Sequence, residues 1–234
     1  MLNMRSARTS TTASDGDLTG RARILQAAVN RFAVDGTAAP LRAIASDAGV
    51  SAGLILHHFG SREGLREACD ELVLTQMRES KTSVVARPSG GAALLVQLAQ
   101  VEGYAALVGY VLRCLQEGGP RLRTLVDHMV EDAVAYLHEG EAAGTVSRSR
   151  FPQARARFMV EQALGALLLQ LPAQQDRLDL QELPRWLRDY SERIVGPALE
   201  LYTEPLFTDS SLLDAYLSTT TTAAPTDHER ASTP

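Results

Sequence analysis

Residues 43–65 read AIASDAGVSAGLILHHFGSREGL. This stretch has the spacing of two short helices that cross at a small residue, Ala45, and are joined by a tight turn at Gly49, where glycine accepts a positive φ. Apolar residues flank the turn on both sides: Ile44, Ala48, Val50 and Ile55. The pattern predicts a helix-turn-helix over about residues 40–59, a motif whose second helix enters the major groove of DNA. The Ala-x-x-x-Gly spacing also occurs in ordinary helical hairpins.

The charge distribution favours a nucleic-acid partner for this part of the chain. The 234-residue protein has a net charge of −5, yet residues 19–66 hold six arginines and three acidic side chains, a net charge of +3. Because residues 1–18 are neutral, residues 67–234 carry −8. Ser51 is the natural N-cap of the second helix, and the free N–H groups near Ser51 and Ala52 are suited to a phosphate. We call residues 19–66 the head and the residues that follow the body. A basic head on an acidic body is typical of a DNA-binding protein with a second function.

The rest of the chain also has helical character. Alanine and leucine dominate, and neither sustained period-two alternation nor Asn-Gly turns occur. Caps, glycines and prolines predict helices at about 19–36, 41–48, 51–58, 61–80, 92–99, 103–116, 120–142, 152–171, 183–201 and 209–217, with Pro197 kinking or breaking the 183–201 helix. Residues 1–17 and 218–234 are expected to be disordered. We predict an all-α protein with a three-helix N-terminal domain over 18–65 and a larger helical domain over 66–217.

Composition and motifs exclude several classes of protein. Two cysteines, Cys69 and Cys114, are far too few for a disulfide framework, so the cytoplasm is the expected location. The longest apolar run, at 163–169, is too short to span a membrane, and no secretory signal is recognisable. The motifs of common hydrolases, metalloproteases and nucleotide-binding enzymes are missing, so no catalytic residue, metal or cofactor is predicted. Adjacent His57 and His58 would point about 100° apart on a helix, which is unsuited to a metal pair.

The wider motif resembles the N-terminal signature of the tetracycline-repressor (TetR) family of bacterial regulators. That signature reads approximately F-A-x-x-G, then I-A-x-x-A-G-V-S-x-G-x-[LI]-Y-x-H-F, then x-S-K-E-x-L. The corresponding segments are FAVDG at 32–36, IASDAGVSAGLILHHF at 44–59 and GSREGL at 60–65. The resemblance implies a homodimer that binds a palindromic double-stranded DNA operator, with a body that binds a small effector and dimerises.

Three positions depart from the signature. Leu56 stands where the family usually has a tyrosine that reaches a phosphate, Ala52 stands where a lysine is common, and Ala39-Pro40 replaces a Thr/Ser pair. Binding is therefore expected to rest on other groups and to be weak and salt-sensitive on non-specific DNA, and Leu56 is suited to a thymine methyl group.

The resemblance also implies that His57 faces DNA while His58 packs inside the head. The expected DNA-contacting residues are Arg42, Ser51, Ala52, Gly53, Leu56, His57 and Arg62, with Arg5 and Arg8 of the N-terminal arm as further candidates.

A one-component sensor also needs a cavity in its body. The expected ligand-contacting residues are Tyr104, Tyr110, His128 and Met129, although such stripes are more often plain core. The Leu/Ala/Val-rich body favours a largely apolar effector. Small and apolar stripes on the last two long helices predict either intramolecular packing or a two-fold four-helix bundle. The expected dimer-interface residues are Met159, Ala163, Ala166, Trp186, Tyr190 and Ile194.

The sequence thus favours a ligand-responsive DNA-binding transcriptional regulator, specifically a repressor that an effector releases from its operator. The tilt of helix 61–80, which joins head to body, is expected to set the separation of the two recognition helices. Two alternatives stay open. One is a helical ligand-binding or adaptor protein with weakened DNA binding, and the other is a helical enzyme of unrecognised type.

Overall fold

The computed structural model describes residues 9–169, 182–204 and 206–222, with side chains at 19–169, 182–204 and 206–219. Within these ranges every regular element is a helix, which confirms the predicted all-α class. A 3-10 turn at Val101–Tyr104 leads into the sixth helix. The helices are α1 (Thr9–Asp35), α2 (Leu41–Ala48), α3 (Ala52–Phe59), α4 (Arg62–Val85), α5 (Gly90–Ala99), α6 (Ala105–Glu117), α7 (Gly119–Ala143), α8 (Pro152–Leu168), α9 (Leu183–Thr203) and α10 (Ser211–Thr222).

The predicted turn between α2 and α3 is present at Gly49. This residue has φ 64° and ψ 38°, the left-handed conformation in which glycine carries no steric penalty. The Val50 N–H then donates to the carbonyl of Ala45 at 2.9 Å, which closes the end of α2. Ser51 caps α3, and its hydroxyl accepts the Leu54 N–H at 3.2 Å. The short helices and their turn therefore follow directly from local sequence.

An apolar core joins the first three helices to the body. Its fully buried members include one residue from each of the three helices: Phe32, Ile44 and Ile55. Tyr110 of α6 belongs to the same core, with its ring centroid 6.3 Å from that of Phe32. Helices α1 and α6 approach closely at Gly109, where an added Cβ would lie 3.0 Å from the Cβ of Ala33. The head is therefore seated on α6 by direct packing.

Helix α4 leaves the head and runs along the body. It packs against α1, α5 and α7, and α7 packs in turn against α8. The domain boundary expected after residue 65 falls near the start of α4, and the core continues across it. The described residues up to Asp189 form one compact unit, and those from Tyr190 onward form a second that contains the end of α9 and α10. Pro197 lies inside α9, so it does not end that helix.

Two helices extend into segments that were expected to be disordered. Helix α1 begins at Thr9 rather than Thr19, and α10 continues to Thr222. Helix propagation adds one hydrogen bond for each ordered residue, so a helix can continue into a segment whose own composition favours disorder. The two helices therefore extend beyond their predicted bounds, and the disorder expected from composition stays a prediction. Residues 1–8 with Arg5 and Arg8, the expected break at 170–181 and the tail from 223 lie outside the described residues.

Candidate nucleic-acid interface

The outer face of α3 carries three of the residues expected to contact DNA. Ile55 is fully buried and fixes the inner face of the helix against the core. Gly53, Leu56 and His57 are exposed, and their spacing of three and four residues places them on one side of the helix. Leu56 exposes 45% of its surface. The helix therefore presents a narrow surface with an apolar centre.

The N-terminus of α3 adds polar groups to this surface. Ser51 is exposed, and because its hydroxyl oxygen accepts the Leu54 N–H, its own hydrogen is left to donate to an external acceptor such as a phosphate. Ala52 is half-buried and packs against the core of the head. Ala52 was also expected at DNA, and because its side chain packs inward it offers its backbone N–H there.

The C-terminal turn of α3 separates the roles of its two histidines. His57 is exposed, whereas His58 is half-buried, with its ring centroid 5.7 Å from that of His57 and 6.0 Å from that of Phe59. A Cβ added at Gly20 of α1 would lie 3.9 Å from the His58 Nε2, so His58 faces α1. His58 therefore packs toward the interior of the first helices, and the contact of exposed His57 with DNA stays a prediction.

Several arginines of the head bind other groups of the protein. Arg31 joins α1 to α2, with its Nη2 2.7 Å from Asp47 Oδ1. The hydrogen bonds that Arg31 donates to Asp47 and to Asp35 raise its pKa above its ordinary value. Arg62, which was expected at DNA, donates from Nη2 to the carbonyls of Thr37 at 2.7 Å and Ala39 at 2.5 Å. These two bonds hold the α1–α2 loop, because its carbonyls need donors from outside the helices. The contact of Arg62 with DNA stays a prediction.

The remaining basic surface of the head is small. Arg21, Arg23 and Arg42 are exposed, and the Arg21 guanidinium carbon lies 5.1 Å from the centroid of the Phe59 ring. Sequence counting could not separate these arginines from the others, because the distinction depends on which carbonyls and carboxylates the fold brings near each guanidinium. The net positive charge of the head is therefore presented mainly by α1 and α2.

Sequence comparisons identify the family of the chain. The family model described as "Bacterial regulatory proteins, tetR family" matches residues 24–69. The model described as "Tetracyclin repressor-like, C-terminal domain" matches residues 102–208. The HTH-type transcriptional regulatory protein RaaS of Mycobacterium tuberculosis is 44% identical over 201 residues, which cover 86% of this chain and 93% of RaaS. The chain belongs to the TetR family. It is a transcriptional regulator rather than an enzyme.

Two solved structures match along most of their length. Salmonella enterica GusR is 22% identical, with a TM-score of 0.48 and coverage of 75% of this chain and 95% of GusR. The TetR transcription regulatory protein from Mycobacterium vanbaalenii is 23% identical, with a TM-score of 0.45 and coverage of 76% of this chain and 97% of that protein.

The four expected effector contacts of this TetR-family chain do not meet in one cavity. Tyr110 is fully buried and Met129 is buried in the core, so neither lines an open space. Tyr104 lines a groove of about 800 Å³ at α4 and α5, whereas His128 lines a separate groove of about 1120 Å³ between α4 and α7. Tyr104 belongs to the 3-10 turn that precedes α6, whereas Tyr110 belongs to α6 itself, so the two tyrosines do not share one helical register.

The larger groove has a mixed lining, in which Leu74, Pro120 and Leu125 lie among charged side chains. Its charged lining residues are Glu67, Asp70, Glu71, Arg78, Glu79, Arg87, Arg121, Glu131, Asp132 and Glu139. Two ion pairs join α4 to α7 here, with Arg78 Nη1 3.7 Å from Asp132 Oδ1 and Arg121 Nη1 3.4 Å from Asp70 Oδ2. Partial burial raises the Asp132 pKa above its ordinary value. Because charged and apolar groups share this lining, the expectation of a largely apolar effector stays a prediction.

The expected dimer residues of the TetR-family chain differ in exposure. On α8, Ala163 is exposed while Met159 and Ala166 are half-buried, and on α9 Trp186 is half-buried. In the second unit Ile194 is 37% exposed, and the Arg193 guanidinium carbon lies 5.8 Å from the centroid of the Tyr190 ring. Sequence analysis missed larger exposed apolar side chains on and beside these helices: Phe158, Leu168, Leu169, Leu199, Leu201 and Tyr202.

Metal-binding groups and membrane-spanning helices are two further features to consider in the described residues. In that part of the chain no group of three or more His, Cys, Asp or Glu side chains is placed to hold a metal ion. No single described helix is long and apolar enough to cross a bilayer, and only α5 together with residues 101–117, a pair bent by 77°, meets the criteria of length and composition.

Proposed function

We propose that the protein is a homodimeric repressor that binds a palindromic operator and is released from it by a small effector. The observation that carries the proposal is the exposed face of α3, where Gly53, Leu56 and His57 stand beyond a helix N-terminus that offers free N–H groups and the Ser51 hydroxyl. In this proposal α3 lies in the major groove, and the helix N-terminus binds a phosphate. Such a protein acts in the compartment that holds the DNA, the cytoplasm of a bacterium.

The chemistry of this face suggests how the operator is read. Leu56 has no polar atom to offer a phosphate, so we assign it to the C5-methyl group of thymine. His57 supplies a ring N–H donor or an acceptor for a base edge or a phosphate, and Arg42 supplies charge from α2. Arg62 is assigned to the loop carbonyls rather than to DNA. Most of the affinity then depends on few charged contacts and on the fit of one apolar side chain.

The dimer proposal is supported by apolar surface on α8 and α9. Phe158 is 64% exposed and Leu168 is 47% exposed on α8, while Leu201 and Tyr202 of α9 are 45% and 56% exposed. Large apolar side chains at this exposure favour burial against another surface. A second copy of the chain would bury the α8 side chains and, in the second unit, the α9 side chains. A two-fold axis would hold two α3 helices about 34–36 Å apart, the spacing of successive major-groove faces.

The effector part of the proposal rests on the groove between α4 and α7. Helix α4 forms one wall of this groove and begins in the head. An effector that binds between α4 and α7 would change the tilt of α4 and hence the separation of the two recognition helices. Its charged lining favours an effector with polar groups over a purely apolar one.

Operator selection from random DNA, performed with the full chain, tests the proposal. We expect a palindrome with thymine enriched at the positions under Leu56, and we expect Leu56→Ala to remove that preference while His57→Ala weakens binding by about 1–3 kcal/mol. His138→Ala is the matched control, since His138 is an exposed histidine of the body. Selection of no palindromic site, or equal effects of His57→Ala and His138→Ala, would refute the assignment.

A second candidate function is a ligand-binding or adaptor protein whose DNA binding has weakened. It is favoured by Leu56 and Ala52 in place of the expected hydroxyl and amine, and by the use of Arg62 within the protein. A gel shift with DNA from the protein's own promoter region distinguishes the two candidates. Absence of a shifted band at low salt, where non-specific binding is strongest, would support the adaptor.

A further inference from the structure

Three polar side chains at four-residue spacing, Arg62, Arg66 and Asp70, lie on one face of the first turns of α4. Each binds a different part of the protein. Arg62 binds the loop carbonyls, Arg66 Nη2 lies 2.6 Å from Glu117 Oε2, and Asp70 Oδ1 accepts the Tyr110 hydroxyl at 2.6 Å. The stripe thus connects the α1–α2 loop to two points on α6.

Thr37 is the loop residue to which this stripe is attached. It is only 6% exposed and lies just before α2. Its N–H donates to Glu117 Oε1 at 3.3 Å, its hydroxyl is hydrogen-bonded to Glu117 and to Arg66, and its carbonyl accepts Arg62 at 2.7 Å. All of its polar groups are therefore held by α4 and α6. We name Thr37, Arg62, Arg66 and Glu117 the Thr37 node.

The charge state of the node is fixed at neutral pH. Partial burial disfavours the ionised Glu117, but its hydrogen bonds with Thr37 and Arg66 outweigh that effect and hold the pKa of the carboxyl below its ordinary value. The carboxylate therefore remains a double acceptor, and the loop and α4 share it.

Helix α6 also holds the end of α1. Arg113 is 6% exposed, and it donates from Nε to the Ala33 carbonyl at 3.0 Å and from Nη2 to the Val34 carbonyl at 2.7 Å. These carbonyls lie in the last turn of α1, where a cation is favourable and no further helical N–H is available. Arg113 and Glu117 are one turn apart on α6, so the same short segment holds both sides of the junction between α1 and the loop.

The other end of the stripe reaches the larger groove. Asp70 and Arg121 both line it, and Arg121 Nη1 lies 3.4 Å from Asp70 Oδ2. Tyr110 binds the other oxygen of the same carboxylate from inside the core. Burial, followed by the charge of Asp70, raises the Tyr110 pKa, so the hydroxyl remains the donor. An occupant of the groove that draws on Asp70 or Arg121 therefore acts on the link between α4 and α6.

From this geometry we propose that Thr37, Arg66 and Glu117 are positioning residues for DNA binding, through which the α4–α7 groove sets the position of α2 and α3. The inference rests on the proposed function and specifies its regulation. In the free protein the node holds the head in the orientation that binds DNA. A change at Asp70 shifts α4 against α6, and the node transmits that shift to the loop before α2 because Thr37 has no polar group bound elsewhere.

The test compares two carboxylates of similar setting in the full chain. Glu117→Gln weakens the Arg66 pair and the Thr37 contact. Glu141→Gln weakens a pair of the same kind between α7 and α8, where Arg155 Nη2 lies 2.8 Å from Glu141 Oε1. We expect Glu117→Gln to weaken operator binding by about tenfold, within the usual range of coupling between sites, and Glu141→Gln to leave it unchanged. Equal effects of the two variants, with similar melting temperatures, would overturn the proposal.

Two conservative substitutions at Thr37 distinguish loss of the hydroxyl contact from loss of folding. Thr37→Ser keeps the hydroxyl and should retain operator affinity, whereas Thr37→Val has nearly the same shape and should lose affinity as Glu117→Gln does. Affinity that follows side-chain volume rather than the hydroxyl would contradict the assignment.

A double-mutant cycle tests the connection to the groove. Tyr110→Phe removes the hydroxyl bound to Asp70 and should weaken operator binding in the same direction as Glu117→Gln. If both act through one link, the double variant should bind within about twofold of the weaker single variant rather than show the product of both effects. Independent, multiplicative effects would show that Asp70 and the node are not coupled.

The distance between the two heads of the dimer is a readout that a change in stability alone does not alter. A spin label at Ala22→Cys, on the exposed side of α1, reports the separation of the two heads in the dimer. The native Cys69 and Cys114 are buried, and burial raises their pKa values to about 12 and about 11, so the label reacts selectively at position 22. Glu117→Gln should broaden the distance distribution, and an unchanged distribution would overturn the proposal.

Failure of the inference can be distinguished from failure of the proposed function. If the unsubstituted protein neither dimerises nor selects an operator, the proposed function fails and the inference fails with it. If it dimerises and binds its operator while Glu117→Gln behaves like Glu141→Gln, only the inference fails.

Discussion

The salt dependence of operator binding can be worked out from the three exposed arginines of the head. Arg21, Arg23 and Arg42 are exposed, and if each contacts one phosphate, the proposed dimer makes twice that number of charged contacts. Each contact contributes about −0.9 to the slope of log affinity against log salt concentration, which gives a total of about −5. Raising the salt from about 50 to 200 mM should therefore weaken binding by about 10³. Fluorescence anisotropy with a labelled operator, at several KCl concentrations, measures this slope.

Two arginine variants distinguish an exposed arginine from one that is bound within the protein. Arg42→Gln removes one exposed contact from each protomer and should make the slope about 2 less negative. Arg31→Gln removes an arginine that Asp47 and Asp35 already bind, so it should lower thermal stability while leaving the slope unchanged. A slope near zero, or equal changes in the two variants, would refute the division of the arginines. A slope well beyond −5 that returns to about −5 in a chain beginning at residue 9 would assign the excess to Arg5 and Arg8.

Three further outcomes follow from the head and its junction with α6. Gly49→Ala should destabilise the protein by about 1 kcal/mol or more in urea unfolding, because alanine disfavours the left-handed backbone at φ 64°; wild-type stability would contradict the turn. Ile55→Ala should cost about 2–5 kcal/mol in the same assay, since Ile55 is fully buried; a loss below about 1 kcal/mol would contradict the packing of α3. The native state holds the Glu117 pKa below its ordinary value of 4.5, so its stabilising effect is present above that pH and is lost as the pH falls through the native pKa. Between about pH 5 and 3, wild-type protein should therefore lose more stability than Glu117→Gln, and parallel curves would contradict the hydrogen bonds to Thr37 and Arg66.

The sequence predicts the helix-turn-helix well because its determinants are local. Gly49 needs only its own backbone conformation to end α2, and Ser51 needs only the N–H of Leu54 to begin α3. The buried side of α3 is also readable from spacing, since Ile55 must face the same way as the apolar residues of α2. These features depend on neighbours within a few residues, and the structure contains them as predicted.

The functions of individual charged and aromatic side chains were harder to predict. Arg62 and Arg42 look alike in sequence, but only the fold brings the Thr37 carbonyl to Arg62. Tyr110 was expected in a cavity, yet its hydroxyl is satisfied inside the core by Asp70, forty positions earlier in the chain. Contacts of this kind depend on how α4 and α6 are paired, which local periodicity does not encode.

The continuous core between the head and α6 has a consequence for protein engineering. Transplanting residues 18–65 onto another regulator would leave the buried surface of Phe32 facing a foreign helix in place of Tyr110, and would leave Ala33 without the space that Gly109 provides. A chimera that changes operator choice should therefore carry the matching face of α6 along with the head. The exchangeable unit of this regulator is discontinuous in sequence, so recombination at a single crossover point after α3 would separate parts that must fit each other.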